Sequence, residues 1–269
     1  VIEPLHDRRQ EYQRSGYLVL KGVLPVALVS ELGRFLQEEY HRNRELFQTR
    51  TGRSLDDHEF LRSIADAERF PALPSELKHL VRGELPLETR LDGRLKAVAH
   101  EPGLTAVVQA ILNADGLRLH NPPSIRVSAP ALSLGNVPLH QDHAYNPHLS
   151  EFVTAWVPFT PIDEACGGVD VLEGSHRLGP LEHGAQVIWG NFVAESASLG
   201  FERRHIVIGP GDALLFGPWL LHASHPNTSD RIRFSIDYRF FSASTPSSRH
   251  YYDIARRTVV APPAERSGG

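Results

Sequence analysis

Between positions 25 and 43, apolar side chains recur at Leu28, Val29, Leu32, Phe35, Leu36 and Tyr40. That i, i+3, i+4, i+7 rhythm lays one apolar stripe along a helix. A polar, helix-compatible run over 7–15 precedes it, Gly16 stops that run, and 17–20 (YLVL) reads as a short strand. The stretch 44–57 is polar and has no period, which predicts a loop or lid. Short helices are expected over 59–69 and 74–82. A better one is expected over 102–112, with Pro102 in its first turn and Asp115-Gly116 closing it.

Beyond Leu117 no long helical period survives, and short apolar or alternating runs are punctuated by Gly, Pro and Asn. Candidate strands are 124–128, 138–142, 152–160, 168–173, 203–208, 212–216 and 231–240, a spacing that suggests a sandwich or jelly-roll barrel. In the last of these, Ile232, Phe234, Ile236, Tyr238 and Phe240 point one way. Arg231, Arg233, Ser235, Asp237 and Arg239 point the other and make a polar wall. The chain reads as one domain, with a mostly helical flank over 1–117, a β-rich core over 118–242 and a disordered tail over 261–269.

The charge balance is 28 Lys and Arg against 32 Asp and Glu, so there is no broad basic field and nucleic acid is not the expected partner. No segment reaches the ~18 consecutive apolar residues of a membrane span, and the opening VIEPLHDRRQ is too charged for a signal peptide. A soluble cytoplasmic protein is the expectation. The single cysteine, Cys166, excludes an internal disulfide framework and a multi-Cys zinc site. Any metal must therefore be held by carboxylates and by some of the 15 histidines. Methionine is absent, and no mechanism follows from that.

A strand that offers two metal ligands must aim both inward, so i and i+2 is the natural spacing. His140-Gln141-Asp142 has this form. Alone it is weak, because a surface His and Asp at a strand end would look the same. About 80 residues downstream come Gly211-Asp212, then His222-Ala223-Ser224, Asn227 and Arg233-Phe234-Ser235. Two His and one carboxylate on one octahedral face are typical of non-haem Fe(II) oxygenases. Arg233 and Ser235 could grip a dicarboxylate through a guanidinium fork and one hydroxyl. Taken singly, His222 could be a satisfied core histidine and Arg233 a solvated ion-pair partner; the joint spacing is poorly explained that way.

The ordered set His140-Gln141-Asp142-His143, Trp156-Val157-Pro158-Phe159, Gly167-Gly168, Gly174-Ser175-His176, Gly211-Asp212, His222-Ala223-Ser224, Asn227 and Arg233 resembles the phytanoyl-CoA dioxygenase family of Fe(II)/2-oxoglutarate oxygenases. The opening from Tyr12 to Leu20 is also similar to that family; the likeness is thinnest between Arg44 and Leu117. The resemblance implies a double-stranded β-helix, a cupin-like jelly roll with flanking helices. It implies His140, Asp142 and His222 as iron ligands, and Arg233 with Ser235 as the anchor of 2-oxoglutarate's distal carboxylate. Trp156 would lie near the cosubstrate. Some members use a Lys on an early strand for that carboxylate; this chain has none after Lys96, so Arg126 or Ser128 would stand in. O2 is the co-reactant and ascorbate a reductant. Asp142 stands where halogenating relatives carry a small residue, which disfavours halogenation. His176 reads mainly as turn chemistry.

The expected reaction is oxidation, by default hydroxylation, of a C–H bond in a small organic metabolite such as a natural-product intermediate, with release of succinate and CO2. Pocket residues are expected from 44–70, from His143, Tyr145 and Asn146 within the run to Phe152, from 183–201 with Trp189 and Asn191, and from Trp219. Arg239, on the same strand face as Arg233, could bind a substrate anion or make a simple surface ion pair. Two rivals are a catalytically silent jelly-roll binding module and a non-redox cupin-type metal enzyme. The latter would not need the Arg-x-Ser clamp.

Overall fold

A computed structural model describes residues 4–130, 133–186 and 188–262. Seven α-helices lead in: α1 (Leu5–Ser15), α2 (Val26–Thr51), α3 (His58–Ile64), α4 (Arg69–Ala72), α5 (Ser75–Val81), α6 (Leu87–Leu91) and α7 (Pro102–Leu112). The strands are β1 (Tyr17–Leu20), β2 (Leu117–His120), β3 (Ser124–Ser128), β4 (Val153–Pro158), β5 (Cys166–Leu172), β6 (Arg203–Ile206), β7 (Ala213–Phe216), β8 (His222–Asn227), β9 (Arg233–Ser242), β10 (Tyr251–Asp253) and β11 (Thr258–Val260). Among the described residues no helix is long and apolar enough to cross a membrane.

The larger sheet runs β1-β7-β4-β9-β2-β10-β11, with β3 also pairing β9; the smaller runs β6-β5-β8. All these pairings are antiparallel. The two sheets form a jelly roll with a cavity between them, lined from β3, β4, β7 and β9 on one side and from β5 and β8 on the other.

The alternation in β9 explains the layering. Phe234, Ile236, Tyr238 and Phe240 join the large core that includes Val29, Leu32 and Leu36 of α2 and Leu104, Val107 and Val108 of α7. Arg233, Asp237 and Arg239 face the cavity instead. Both faces are therefore buried, one by helices and one by the second sheet. Ile232 and Arg231 precede the strand.

Three expectations change. The segment 44–57 is not a loop throughout, because α2 continues to Thr51 and ends on Gly52 at φ 68°. Burial persists along the stripe through Tyr40, Asn43 and Phe47, and the polar Asn43, whose Nδ2 donates to the Glu39 carbonyl at 2.7 Å, hides the period. The expected strand 138–142 is one bridge, His140 to His222, after which Asp142–Tyr145 turns as a 3₁₀ segment. Pro138 has no N–H to extend the ladder. The helix over 102–112 closes on Asn113, left-handed at φ 49°, before Asp115-Gly116. Strands β2, β8, β10 and β11 are absent from the sequence reading; the last three carry no apolar alternation, and β2 has only Leu117 and Leu119 to show one. The expected tail from 263 onward lies outside the described residues.

Candidate active site

The bridge between His140 and His222 brings two imidazoles together across the mouth of the sandwich. Each backbone N–H donates to the other's carbonyl, at 3.0 and 3.1 Å. Their ring centroids lie 4.1 Å apart. His140 Nδ1 donates to the Pro138 carbonyl at 2.7 Å and His222 Nδ1 to the Leu220 carbonyl at 2.9 Å, each two residues upstream. With the protons held on Nδ1, both Nε2 lone pairs are free, and they lie 3.7 and 3.9 Å from Asp142 Oδ1. The three ligand atoms sit within 4.8 Å of one another. One ion with bonds of about 2.1 Å can reach all three after a small contraction.

Electrostatics favour the neutral form of His222 and the ionised form of Asp142. Burial, with His140 close by, pushes His222 down to about 3 despite Asp142, so its ring is neutral near pH 7. Burial alone would push Asp142 up, but the Arg239 guanidinium and the two imidazoles hold its carboxyl well below the usual carboxylate range. Thr154 Oγ1 donates to Asp142 Oδ2 at 2.6 Å, and Arg239 donates to both oxygens. Asn146 Nδ2 donates to the Asp142 carbonyl at 3.0 Å.

Beside this trio lies a set of unsatisfied polar groups. Arg233 is 2 % exposed; Nη1 donates to the Gly168 carbonyl at 2.9 Å, and Nε is buried with no partner. Ser235 Oγ and Ser128 Oγ are likewise buried and unpartnered. In the β3–β9 register Ser128 faces Arg233 and Arg126 faces Ser235. Burial lowers Arg233 to about 10, so it stays cationic at neutral pH. Leaving such groups unsatisfied costs about 1–3 kcal/mol each. Arg233 lines the cavity and Trp156, 6.0 Å beneath the guanidinium, walls the same space, so a carboxylate bound there would have the guanidinium as a partner.

The cavity measures about 310 Å³. His140, Asp142, Tyr145, Asn146, Trp156, Arg126, His222, Arg233 and Arg239 all line it. Arg126 is engaged by Glu84 at 2.6 Å. Burial raises the Glu84 carboxyl, yet Arg126 and His79 hold it down to about 2.

Four expected pocket residues, His143, Trp189, Asn191 and Trp219, do not line the cavity. His143 stacks on Trp219 with centroids 4.2 Å apart. Trp189 Nε1 donates to the Leu134 carbonyl and its ring lies under Arg126. Asn191 serves through its carbonyl, which accepts from Tyr145 Oη at 2.7 Å. Arg239 is neither a free anion site nor a surface ion pair, because Asp142 occupies its fork in the interior. The early wall comes from Glu84, Leu87 and Arg90, not from 44–70.

Sequence reasoning missed Thr154, Glu84, Arg90, His120 and Arg249, which no local motif marks. It also missed Gln141, whose side chain donates to the Gly179 and Trp219 carbonyls and accepts from Leu181 N, tying two loops behind the trio.

Residues 12–235 match the profile of the family described as phytanoyl-CoA dioxygenase (PhyH). A 1-deoxypentalenic acid 11-beta-hydroxylase of Streptomyces exfoliatus is 36% identical over 118 residues, covering 40% of this chain and 42% of that protein. The chain thus matches about two-fifths of that relative's length. The human peroxisomal phytanoyl-CoA dioxygenase is 24% identical over 92% of this chain and 70% of its own. Among solved structures, the epimerase SnoN in complex with Fe3+, alpha ketoglutarate and nogalamycin RO superposes with a TM-score of 0.60 at 16% identity. That match covers 98% of this chain and 91% of SnoN. The carbocyclase SnoK, also from nogalamycin biosynthesis, gives a TM-score of 0.57 at 15% identity, over 97% of this chain and 88% of its own.

Proposed function

This chain belongs to the phytanoyl-CoA dioxygenase family, and from that premise we propose that it is an Fe(II)/2-oxoglutarate-dependent dioxygenase that hydroxylates a C–H bond of a small anionic metabolite. The observation that carries the reading is the adjacency of two features: three converging candidate ligand atoms, and a buried arginine–serine set with polar atoms that find no partner in the protein. A silent binding module has no need of either, and a non-redox metal enzyme has no need of the second.

His140, Asp142 and His222 would hold the metal. Arg233, Ser235 and Ser128 would bind the distal carboxylate of 2-oxoglutarate. When bound, the metal and cosubstrate supply the oxidising chemistry from O2, with succinate and CO2 as coproducts. The chain's own work is positional. The Pro138 and Leu220 carbonyls fix which imidazole nitrogen points inward, Arg239 and Thr154 fix the carboxylate, and Trp156, Val169 and Phe216 wall the site with apolar surface. Because Asp142 fills the carboxylate position, no room is left there for a halide.

The substrate class follows from charge. Arg90, Arg126, Arg233, Arg239 and Arg249 line the cavity against Glu84, Asp142 and Asp237. A divalent metal and a doubly charged cosubstrate cancel one another, so two cations remain uncompensated. Arg90 and Arg249, without salt-bridge partners among the described residues, supply them. An acid satisfies them, in keeping with the acid named for the Streptomyces relative.

The test is anaerobic loading with Fe(II) and 2-oxoglutarate, followed by O2. A weak visible charge-transfer band and iron-dependent succinate release are expected. Iron-loaded protein that neither binds 2-oxoglutarate nor forms succinate would refute the reading.

A further inference from the structure

A second His–His–Asp group stands on the outer face of the small sheet. Asp170 of β5, His205 of β6 and His225 of β8 occupy one site on three adjacent strands; Asp170 pairs with His205 in register, and His225 pairs with Gly168 two residues away. Their neighbours Val169, His222 and Ser224 face the cavity, so period-two alternation puts this trio on the opposite side.

His205 Nδ1 lies 3.1 Å and His225 Nδ1 2.9 Å from the same atom, Asp170 Oδ1. The two rings stack with centroids 3.9 Å apart. The Asp170 side chain is 9% exposed, and its other oxygen faces Arg203 at 3.8 Å. His205 Nε2 sits 3.3 Å from the Asp163 carbonyl. One ligand atom from each of the three side chains lies within 4.8 Å of the others, close enough for a single cation to engage both nitrogens and the oxygen together.

We propose that Asp170, His205 and His225 form a second divalent-cation site, separate from the cavity trio, suited to a borderline metal such as Zn(II). Two imidazole nitrogens and one carboxylate oxygen select against Mg(II) and Ca(II), which prefer all-oxygen shells. The Asp163 carbonyl behind His205 is the kind of outer partner that orients a ligating imidazole. His225, 30% exposed at its side chain, leaves an entry path and room for water as a further ligand. Occupied, the site joins all three strands of the small sheet, including the one that begins with His222.

The test uses untagged full-length chain carrying His140→Ala and His222→Ala, so that the cavity trio cannot bind metal and turnover plays no part. Equilibrium dialysis against Zn(II) should leave one ion per chain, and Zn(II) should raise the thermal midpoint. Adding His225→Gln, the most exposed of the three positions, should weaken retention at least about 100-fold and abolish the thermal shift. Asp170→Asn should do the same, and if that variant does not fold, His225→Gln decides. A parent that retains no Zn(II), or a His225→Gln protein that retains it equally well, would overturn the site.

Discussion

Arg239 holds both oxygens of Asp142, Nε to Oδ2 and Nη2 to Oδ1, each at 3.0 Å, in the interior. The pair converts an arginine that alternation places on the cavity face into a positioning residue for the proposed carboxylate ligand. Arg239→Gln should lower Fe(II) affinity about 10–100-fold, the range typical of outer partners of metal ligands. It should also cost about 3–5 kcal/mol of stability, because it leaves a buried carboxylate unpaired. Metal titration and urea unfolding read the two effects separately, and undiminished metal affinity would deny the positioning role.

The proposed anchor makes a graded prediction for the cosubstrate. A hydrogen bond to a charged group is worth about 1.5–3 kcal/mol, and about 1.4 kcal/mol is tenfold in affinity. Ser235→Ala and Ser128→Ala should each weaken 2-oxoglutarate binding about tenfold or more. Arg233→Gln, which removes the buried cation itself, should exceed both. Calorimetry on anaerobic, iron-loaded protein measures all three. Equal affinity in Arg233→Gln would mean that another group is the anchor.

Acid should destabilise the metal-free protein. The fold holds His120 and His222 at about 3 and His148 at about 4, against an ordinary 6.5, with burial the largest cause in each. These values are depressed, so below about 6.5 the unfolded chain takes up protons that the folded chain refuses. Stability is therefore complete above that pH and falls as pH drops toward 4 and then 3. The fully buried His222 ring contributes a slope of about 1.4 kcal/mol per pH unit, and the part-exposed His120 and His148 contribute less. Glu84, held at about 2 against 4.5, extends the same trend lower, while Asp237, raised by burial, opposes it weakly. The urea midpoint should drop between pH 7 and pH 5; a flat profile would show that these rings accept protons in the folded state.

What the chain reveals about itself depends on how local the cause is. Strand β9 is legible because neighbouring layers impose opposite polarity on successive residues, so Phe234 and Arg233 announce their faces. The trio is legible because His140, Asp142 and His222 sit in recognisable short contexts. The long end of α2 is not, because its burial runs through Asn43 and Glu39, which a hydrophobic count scores as solvent-facing. Glu84, Arg90 and Arg249 reach the cavity from loops and a short helix that only tertiary packing brings there. His143 and Trp219 look like pocket residues in sequence but spend their rings on each other.

The uncompensated cations at the cavity give the sharpest test of substrate class. Burial lowers Arg90, which Glu84 only partly offsets, and its Nε has no partner. Arg249 is exposed, lines the cavity and lies near His120 and His148, whose depressed values keep those rings neutral and leave the arginines as the local positive charge. A carboxylate placed between Arg90 and Arg249 would gain charge-assisted bonds that its methyl ester cannot make. In a succinate-release screen, carboxylic acids should stimulate turnover and their matched esters should not. Arg90→Met and Arg249→Met should each lower kcat/KM for the acid about 10–100-fold, the loss expected from one charged hydrogen bond, while 2-oxoglutarate affinity stays in place. If esters and acids stimulate alike, or if both arginine variants keep full efficiency on the acid, the substrate is not held by its charge and the surplus of cations serves another purpose.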